Sequence, residues 1–436
     1  MQSIAQLHGM FLASTGVCTD SRKVFRGCMF FALKGGNFNG NAYAAAALEQ
    51  GAAYAVVDEN VDENVDENID ESPLYVKVDN VLETLQQLAA YHRRYLNLPI
   101  VAVTGTNGKT TTKELLVAAL SRKLRVAATQ GNLNNHIGVP LTLLGMGKDT
   151  QLGVVEMGAN HSGEIAGLCS MAQPNAGLIT NVGKAHLEGF GSLDGVKKAK
   201  GELYAYLTQR QGQVFYLSDS ADLKDMLQAH GVKHPIAYGL RENNVCVDAG
   251  SRSNPFLSLR MANGDTWQTK LVGSYNAANV LAAAAVGRYF GVAEEDIREA
   301  VESYEPQNHR SQLLRTARNT VIVDAYNANP TSMAAAVFNF AQLSADSKLL
   351  ILGDMLELGE NAQREHAHIL GLLRQQKLTN GYLVGEHFCS VAKKPFLSFA
   401  DSAALCEYLK NSRVERQLIL LKGSRGVQLE KVLKYL

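Results

Sequence analysis

No stretch of about 18 or more apolar residues occurs in this 436-residue chain, so no membrane-spanning helix and no stable membrane insertion are expected. The N-terminus lacks a basic segment followed by an apolar one, which argues against a signal peptide. Cysteine is sparse. Cys18, Cys28, Cys169, Cys246, Cys389 and Cys406 are scattered with no C-x-x-C pair among them, a pattern that leads us to expect reduced, partly buried thiols in a cytoplasmic protein. Neither sign of charge is in excess. Lys+Arg and Asp+Glu each total 42, which removes the electrostatic reason to expect nucleic acid or an anionic membrane as a partner. What remains is a globular composition, 46% apolar and 19% charged, on a chain too long for one ordinary core. Two or three domains are expected.

The most informative stretch is Val101-Ala-Val-Thr-Gly-Thr-Asn-Gly-Lys-Thr-Thr-Thr112. An apolar β-type run ends in a glycine-bounded turn that carries Lys109 and Thr110 into a helix-forming segment, 113–120. That order surrounds a nucleotide's phosphates with backbone N–H groups and a helix N-terminus. Lys109 would reach the terminal phosphates and the Thr110 hydroxyl would ligate Mg²⁺. Only Thr106 and Asn107 separate Gly105 from Gly108, whereas the common phosphate-binding loop has four residues between its glycines.

Three zones follow, with expected limits 1–97, 98–310 and 311–436. The first has β-like pieces such as 28–33, an Ala-rich helical stretch 42–50, and a helix over 82–96. It also contains a tandem repeat, Val57-Asp-Glu-Asn through Ile69-Asp-Glu, whose acidity suggests cation binding and whose period of four suggests a short helix with a solvated face. A surface insertion without a catalytic role is the expectation. In the second zone the apolar runs 152–157, 176–180 and 213–217 end in polar or glycine residues with helical segments between them. This is the pattern of a mostly parallel α/β sheet whose ligands gather at the carboxyl ends of its strands. Residues 245–272 read as antiparallel strands, and 275–289 as a helix. The third zone repeats the alternation, with strands expected at 320–323, 348–352, 381–384 and 417–421, and suggests a smaller Rossmann-like domain.

Glu156 ends an apolar strand and is placed to hold Mg²⁺ directly or through water. His186, after another strand, is a weak signal by itself. Lys200 reads as a solvated helix charge no different from Lys197 or Lys198. In the third zone, polar clusters at Asp324–Pro330, Gly353–Gly359 and Lys422–Gly426 share one end of the expected sheet, as the wall of an interdomain cleft would. Lys422 and Arg425 suit a carboxylate or phosphate there.

Taken together, these stretches resemble the ATP-dependent Mur ligases of bacterial cell-wall synthesis. The resemblance rests on Thr104-Gly-Thr-Asn-Gly-Lys-Thr-Thr111, Gly131-Asn-Leu-Asn-Asn-His-Ile-Gly-Val-Pro140, Glu156-Met-Gly-Ala-Asn160 and Asn181-Val-Gly-Lys-Ala-His186. It continues through Ala199-Lys-Gly-Glu202, Gly273-Ser-Tyr-Asn-Ala-Ala-Asn279, Tyr326-Asn-Ala-Asn-Pro330, Leu352-Gly-Asp-Met-Leu-Glu-Leu-Gly359 and Lys422-Gly-Ser-Arg425. The Tyr-Asn-Ala-Asn-Pro and Gly-Asp-Met-x-Glu-Leu-Gly blocks resemble the D-alanyl-D-alanine-adding branch. The family implies an N-terminal UDP-sugar-binding α/β domain, a central ATPase domain and a Rossmann-like C-terminal domain that closes on the substrates.

By position, the resemblance implies ATP contacts at Gly105, Thr106, Asn107, Gly108, Lys109, Thr110 and Thr111, with Asn276 and Asn279 near adenine and Arg310 and Asp324 near phosphate and ribose. It implies metal ligands at Thr110, Glu156, His186 and a carbamylated Lys200, serving two Mg²⁺ ions, with Lys109, Glu156, His186 and Lys200 as the catalytic set. Ser21, Arg22, Lys34, Asn134, Asn135, Asn327, Lys422, Ser424 and Arg425 are implied substrate contacts. Two positions depart from the family pattern: Val323 replaces a frequent acidic residue, and His309 stands where glycine is frequent. The acidic repeat has no family counterpart.

The implied reaction joins D-alanyl-D-alanine to UDP-N-acetylmuramoyl-tripeptide through an acyl phosphate, in a monomeric enzyme. Rival readings are a sister ligase acting on a UDP-sugar dipeptide or folate, and a non-catalytic nucleotide switch. The Asp-Asn-Pro-Arg block usual in the diaminopimelate-adding type does not occur.

Overall fold

A computed structural model describes residues 2–59, 73–248, 254–308 and 310–436. The first strands, Val17–Cys18, Met29–Phe31, Tyr54–Val57 and Tyr75–Lys77, form a four-stranded parallel sheet in that order. The Ala-rich stretch becomes a helix only from Ala44. Ahead of it Gly40–Tyr43 is a 3₁₀ turn, because the Asn39 side chain accepts the Asn41 N–H and caps the tighter turn first. Val57, the first residue of the acidic repeat, is a buried strand end rather than part of a helix. The repeat's remaining residues from 60 onward lie outside the described residues.

Helix Val81–Leu96 starts on an Asn80 cap, which accepts the Glu83 N–H at 3.0 Å, and stops at Asn97 in the left-handed region. Its buried residues Val81, Leu85, Leu88 and His92 make one stripe, which packs against helices Gly138–Leu144 and Glu164–Ala172. The first zone and the central zone therefore share a continuous hydrophobic cluster.

The central sheet has six parallel strands in the spatial order Ile236–Tyr238, Gln213–Leu217, Ala176–Ile179, Ile100–Thr104, Leu152–Glu156, Val126–Ala128. Ile100–Thr104 is buried throughout, as a strand covered on both faces must be. Its direct neighbours are the strands leading to Asn181 and to Glu156, so three polar blocks far apart in sequence emerge side by side. The helix after the turn begins at Lys109, four residues earlier than the sequence pattern suggests. Three threonines are poor helix formers, but here they are buried against neighbouring elements, which overrides their propensity. Cys246–Asp248, Phe256–Arg260 and Thr266–Val272 form the expected antiparallel sheet.

The last sheet runs Gln312–Arg315, Thr320–Asp324, Leu418–Lys422, Lys348–Gly353, Gly381–Val384, Leu397–Phe399, parallel except for the first strand. Thr320–Asp324, Leu418–Lys422 and Lys348–Gly353 are consecutive, which brings the three polar clusters to one carboxyl end. No described helix is long and apolar enough to cross a membrane.

Candidate active site

A cavity of about 880 Å³ lies between the carboxyl ends of the central and C-terminal sheets, and its wall includes the glycine-bounded turn. The turn is held by the loop after Ala176–Ile179. Asn181 accepts the Asn107 N–H through Oδ1 at 3.0 Å and the Thr106 N–H through its carbonyl, also at 3.0 Å. Gly183 N donates to Thr106 Oγ1 at 3.0 Å. The Thr180 hydroxyl donates to the Asn107 carbonyl at 2.6 Å. Gly105 has φ +145°, and a Cβ there would sit 1.9 Å from Thr180 Oγ1. Gly105→Ala is therefore expected to cost about 2 kcal/mol or more of stability and to weaken ADP binding together with it. Calorimetry and a melting curve on the same sample check this, and unchanged values in both would contradict it.

Lys109 Nζ folds back to donate to the Gly105 carbonyl at 2.7 Å and the Thr106 carbonyl at 3.1 Å. Burial lowers its pKa to about 8; the Glu156 carboxylate opposes that shift and the Arg310 charge adds to it. Thr110 and Thr111 are buried in the first turn, and Thr112 donates to Asn279 Oδ1 at 3.1 Å. Asn279 in turn donates to Asn276 Oδ1 at 2.9 Å, and Asn276 to the Val272 carbonyl. This chain ties the helix of the turn to helix Ala277–Tyr289.

Beside the turn, Glu156 is 1% exposed. Its Oε1 accepts Asn134 Nδ2 at 2.8 Å, while Oε2 is buried with no hydrogen-bond partner. Such an orphaned anionic oxygen facing a cavity fits a cation. No group of three or more His, Cys, Asp or Glu side chains that could hold a metal ion occurs among the described residues, so an ion here would need hydroxyl, phosphate, water or carbamate oxygens as well.

Lys200 is the main correction to the residue-level reading. It is 2% exposed and not solvated, with no ion-pair partner among the described residues, and its Nζ lies 5.7 Å from the centre of the Phe190 ring. Burial, and then the charge of Lys109, lower its pKa to about 7. Lys197, by contrast, pairs with Asp222 at 2.6 Å.

The opposite wall comes from the C-terminal sheet. Lys422, 1% exposed, pairs with Asp324 Oδ2 at 2.5 Å. The Arg310 guanidinium stacks 3.8 Å from the centre of the Tyr326 ring, with Arg425 5.7 Å from the same ring. Asn327 and Asn329 also line the cavity. Contacts that join the walls include Asn329 Nδ2 to Asn107 Oδ1 at 2.7 Å, Lys184 N to Thr331 Oγ1 at 3.1 Å, Lys184 Nζ to Glu365 at 2.8 Å, and His186 Nδ1 to Glu357 at 2.6 Å.

Comparison with known proteins places this architecture. Family models described as Mur ligase middle domain, glutamate ligase domain of Mur ligases, and Mur ligase family catalytic domain match residues 103–287, 309–425 and 14–93. The UDP-N-acetylmuramoyl-tripeptide–D-alanyl-D-alanine ligase of Bacillus subtilis strain 168 is 34% identical, over 96% of this chain and 92% of its own. This chain belongs to the Mur ligase family. Among solved structures it is similar to MurF from Acinetobacter baumannii, with 30% identity and a TM-score of 0.84 over 98% of this chain and 97% of that one. The MurF ligase of Thermotoga maritima in complex with ADP is 26% identical, with a TM-score of 0.83 over 98% and 97%.

In this Mur ligase not every expected site residue reaches the cavity. Thr106 through Thr111, Asn134, Glu156, His186, Asn276, Asn279, Arg310, Asp324, Asn327 and Lys422 gather around it, while Gly105 stands just outside the lining with its carbonyl accepting Lys109 Nζ. Lys200 lies buried behind the wall. Ser21, Arg22 and Lys34 do not line the cavity. Arg22 is engaged by Asp20 at 2.8 Å, and Lys34 by Asp58 at 2.9 Å and Glu59 at 2.7 Å. Asn135 lines the wall, but its Oδ1 is committed to the Ile137 and Gly138 N–H groups at the start of a helix. Ser424 donates to the Ala328 carbonyl and accepts the Leu356 N–H at 3.0 Å, which makes it a brace between loops. Val323 is fully buried, because its strand is covered on both faces: Val321 and Val323 enter one hydrophobic cluster and Ile322 another. His309 lies outside the described residues.

Sequence reasoning missed Gln86, which helix Val81–Leu96 contributes to the wall, and Glu357. Glu357 stands inside the Gly-Asp-Met-x-Glu-Leu-Gly block, whose density of polar residues was the available signal.

Proposed function

We propose that this chain is a cytoplasmic, monomeric, ADP-forming ligase that joins D-alanyl-D-alanine to the terminal carboxylate of UDP-N-acetylmuramoyl-tripeptide. The carrying observation is the single cavity that receives both the phosphate-binding turn and the Tyr326–Asn329 and Lys422 wall. The division at 1–97, 98–310 and 311–436 serves this chemistry by assigning the sugar nucleotide, ATP and the closing wall to separate units. Ser21, Arg22 and Lys34 belong to the first of these, at the surface of its small sheet.

In the reaction the tripeptide carboxylate oxygen attacks the γ-phosphorus of ATP and ADP leaves, giving an acyl phosphate. The dipeptide's ammonium gives up a proton, the neutral amine attacks the carbonyl carbon, and the tetrahedral adduct loses a second proton from its nitrogen and expels phosphate to leave the amide. The first step brings two anions together, so its rate depends on positive charge held in advance. Lys109 supplies that charge at the turn, with Arg310 at the facing wall. Asn276 and Asn279 fix the helix carrying Thr110 against the adenine side. Asn134 holds the Glu156 carboxylate in place from behind, and Lys422 with Asp324, Asn327 and Arg425 orients groups at the acceptor end. Thr110, Glu156, His186 and a carbamylated Lys200 would hold Mg²⁺, which would neutralise phosphate charge when bound.

Lys200 suits carbamylation because burial keeps much of it as the neutral amine near pH 7. The neutral amine nitrogen bonds to the carbon of CO₂ and releases one proton, turning a buried neutral amine into an anion. The bonds between Lys184 and Glu365 and between His186 and Glu357 hold the C-terminal wall on the central one, as closure over bound substrates requires.

Phosphate release with ATP and Mg²⁺ tests the reading. Release is expected only when UDP-sugar tripeptide and D-alanyl-D-alanine are both present, with a product heavier by the dipeptide. Release with a single amino acid would assign a sister reaction, and turnover requiring neither acceptor would revive the nucleotide switch.

A further inference from the structure

Where the chain crosses from the central sheet to the C-terminal one, it is fastened to the nucleotide helix by a carboxylate that the proposed reaction does not use. Glu114 lies one turn beyond Thr110 on helix Lys109–Leu120. Its Oε2 accepts the Tyr304 hydroxyl, and its Oε1 accepts Asn308 Nδ2 at 3.1 Å, with Lys113 Nζ 3.5 Å away. Tyr304 ends helix Glu294–Ser303, and Asn308 stands two residues before Arg310. Both oxygens of one side chain are thus committed to the crossing segment.

The far side of Arg310 is held as well. Ser311 N donates to Asp324 Oδ1 at 3.3 Å, the Ser311 hydroxyl pairs with the Tyr275 hydroxyl at 2.8 Å, and Ser311 sits in the left-handed region at φ 52°. Between these two anchors the Arg310 guanidinium carbon lies 3.8 Å from the centre of the Tyr326 ring and the residue lines the cavity, while its Nε is buried with no hydrogen-bond partner. An arginine held from both sides with an uncommitted N–H is preorganised for an anion.

We propose that Glu114 is a positioning residue for Arg310: by clamping Tyr304 and Asn308 to the helix that follows the phosphate-binding turn, it fixes Arg310 relative to the nucleotide phosphates. A shift of that helix is transmitted to Arg310 through two hydrogen bonds. The inference rests on the nucleotide reading of the cavity.

The test is a double-mutant cycle on the full chain with Glu114→Gln, Arg310→Ala and the pair, reading ADP affinity by calorimetry, the KM for ATP and kcat. Glu114→Gln is expected to weaken ADP binding and raise the KM for ATP by about fivefold or more, with the KM for D-alanyl-D-alanine unchanged. In the Arg310→Ala background it should add less than about twofold. Tyr304→Phe, which removes one of the two bonds, should reproduce part of the effect. Equal effects of Glu114→Gln in both backgrounds would overturn the proposal, as would a lower melting temperature with unchanged ATP parameters. If Arg310→Ala alone leaves ADP affinity and the KM for ATP unchanged, the nucleotide role of Arg310 fails and the proposal falls with it, a result distinct from the other two.

Discussion

Lys109→Ala is expected to lower kcat by at least about two to three orders of magnitude while leaving the protein folded. The ammonium donates only to the Gly105 and Thr106 carbonyls of its own turn, both beside the cavity, where water can replace it. The turn's shape comes from Thr180, Asn181 and Gly183, which the substitution leaves alone. The loss of activity is electrostatic in origin. Among the charges around the turn, Glu156 is an anion and Arg310 is carried by another segment, so removing Lys109 withdraws the cation that the turn itself supplies. A pKa of about 8 without nucleotide leaves most of the amine protonated at pH 7, and a bound triphosphate would raise it further. Steady-state phosphate release with circular dichroism melting checks both halves. Near-normal turnover would remove the turn from the mechanism.

Lys200→Ala is expected to be inactive, well folded, and partly restored by a short-chain carboxylic acid. A buried lysine with no ion-pair partner among the described residues is costly as a cation, and the cost is what depresses its pKa. Alanine removes that cost, so stability should hold or rise. The sign of the pH effect follows from the direction of the shift. The amine is neutral above about pH 7 and protonated below it, so capture of CO₂ weakens as pH falls through that value. Activity lost on the acid side, or on removal of CO₂, should return with bicarbonate at higher pH. Carbon-13 NMR with labelled bicarbonate gives a readout apart from turnover: a carbamate signal in the parent chain and none in Lys200→Ala. A fully active Lys200→Ala would refute the carbamate role.

Much of the architecture was legible in the residues. The strand at 100–104, the helix at 82–96, the antiparallel segment after 245 and the four C-terminal strands all follow from local pattern, since buried parallel strands and amphipathic helices leave different periodicities. The early start of the helix at Lys109 was not legible, because burial of three threonines outweighs their weak propensity. The 3₁₀ turn at Gly40–Tyr43 escaped for a related reason: one asparagine side chain decides it.

For the site, the sequence by itself determined the chemistry of the loops: a glycine-bounded turn with Lys109 and Thr110, an acid at the end of an apolar strand, and polar clusters closing three strands. These depend on residue type and on near neighbours, which a linear chain records. Tertiary structure alone decided which of those loops meet. Strand order brings Glu156 and Asn181 to either side of the turn, and pairs Asp324 with Lys422 across 98 residues. It also decided that Lys200 is buried while Lys197 is paired at the surface, a difference set by which face of one helix turns inward. Glu357 reaching His186, and Glu114 fastening the segment before Arg310, are contacts between elements far apart along the chain. Such contacts leave no local pattern, because the partner that gives each side chain its role is supplied only by folding.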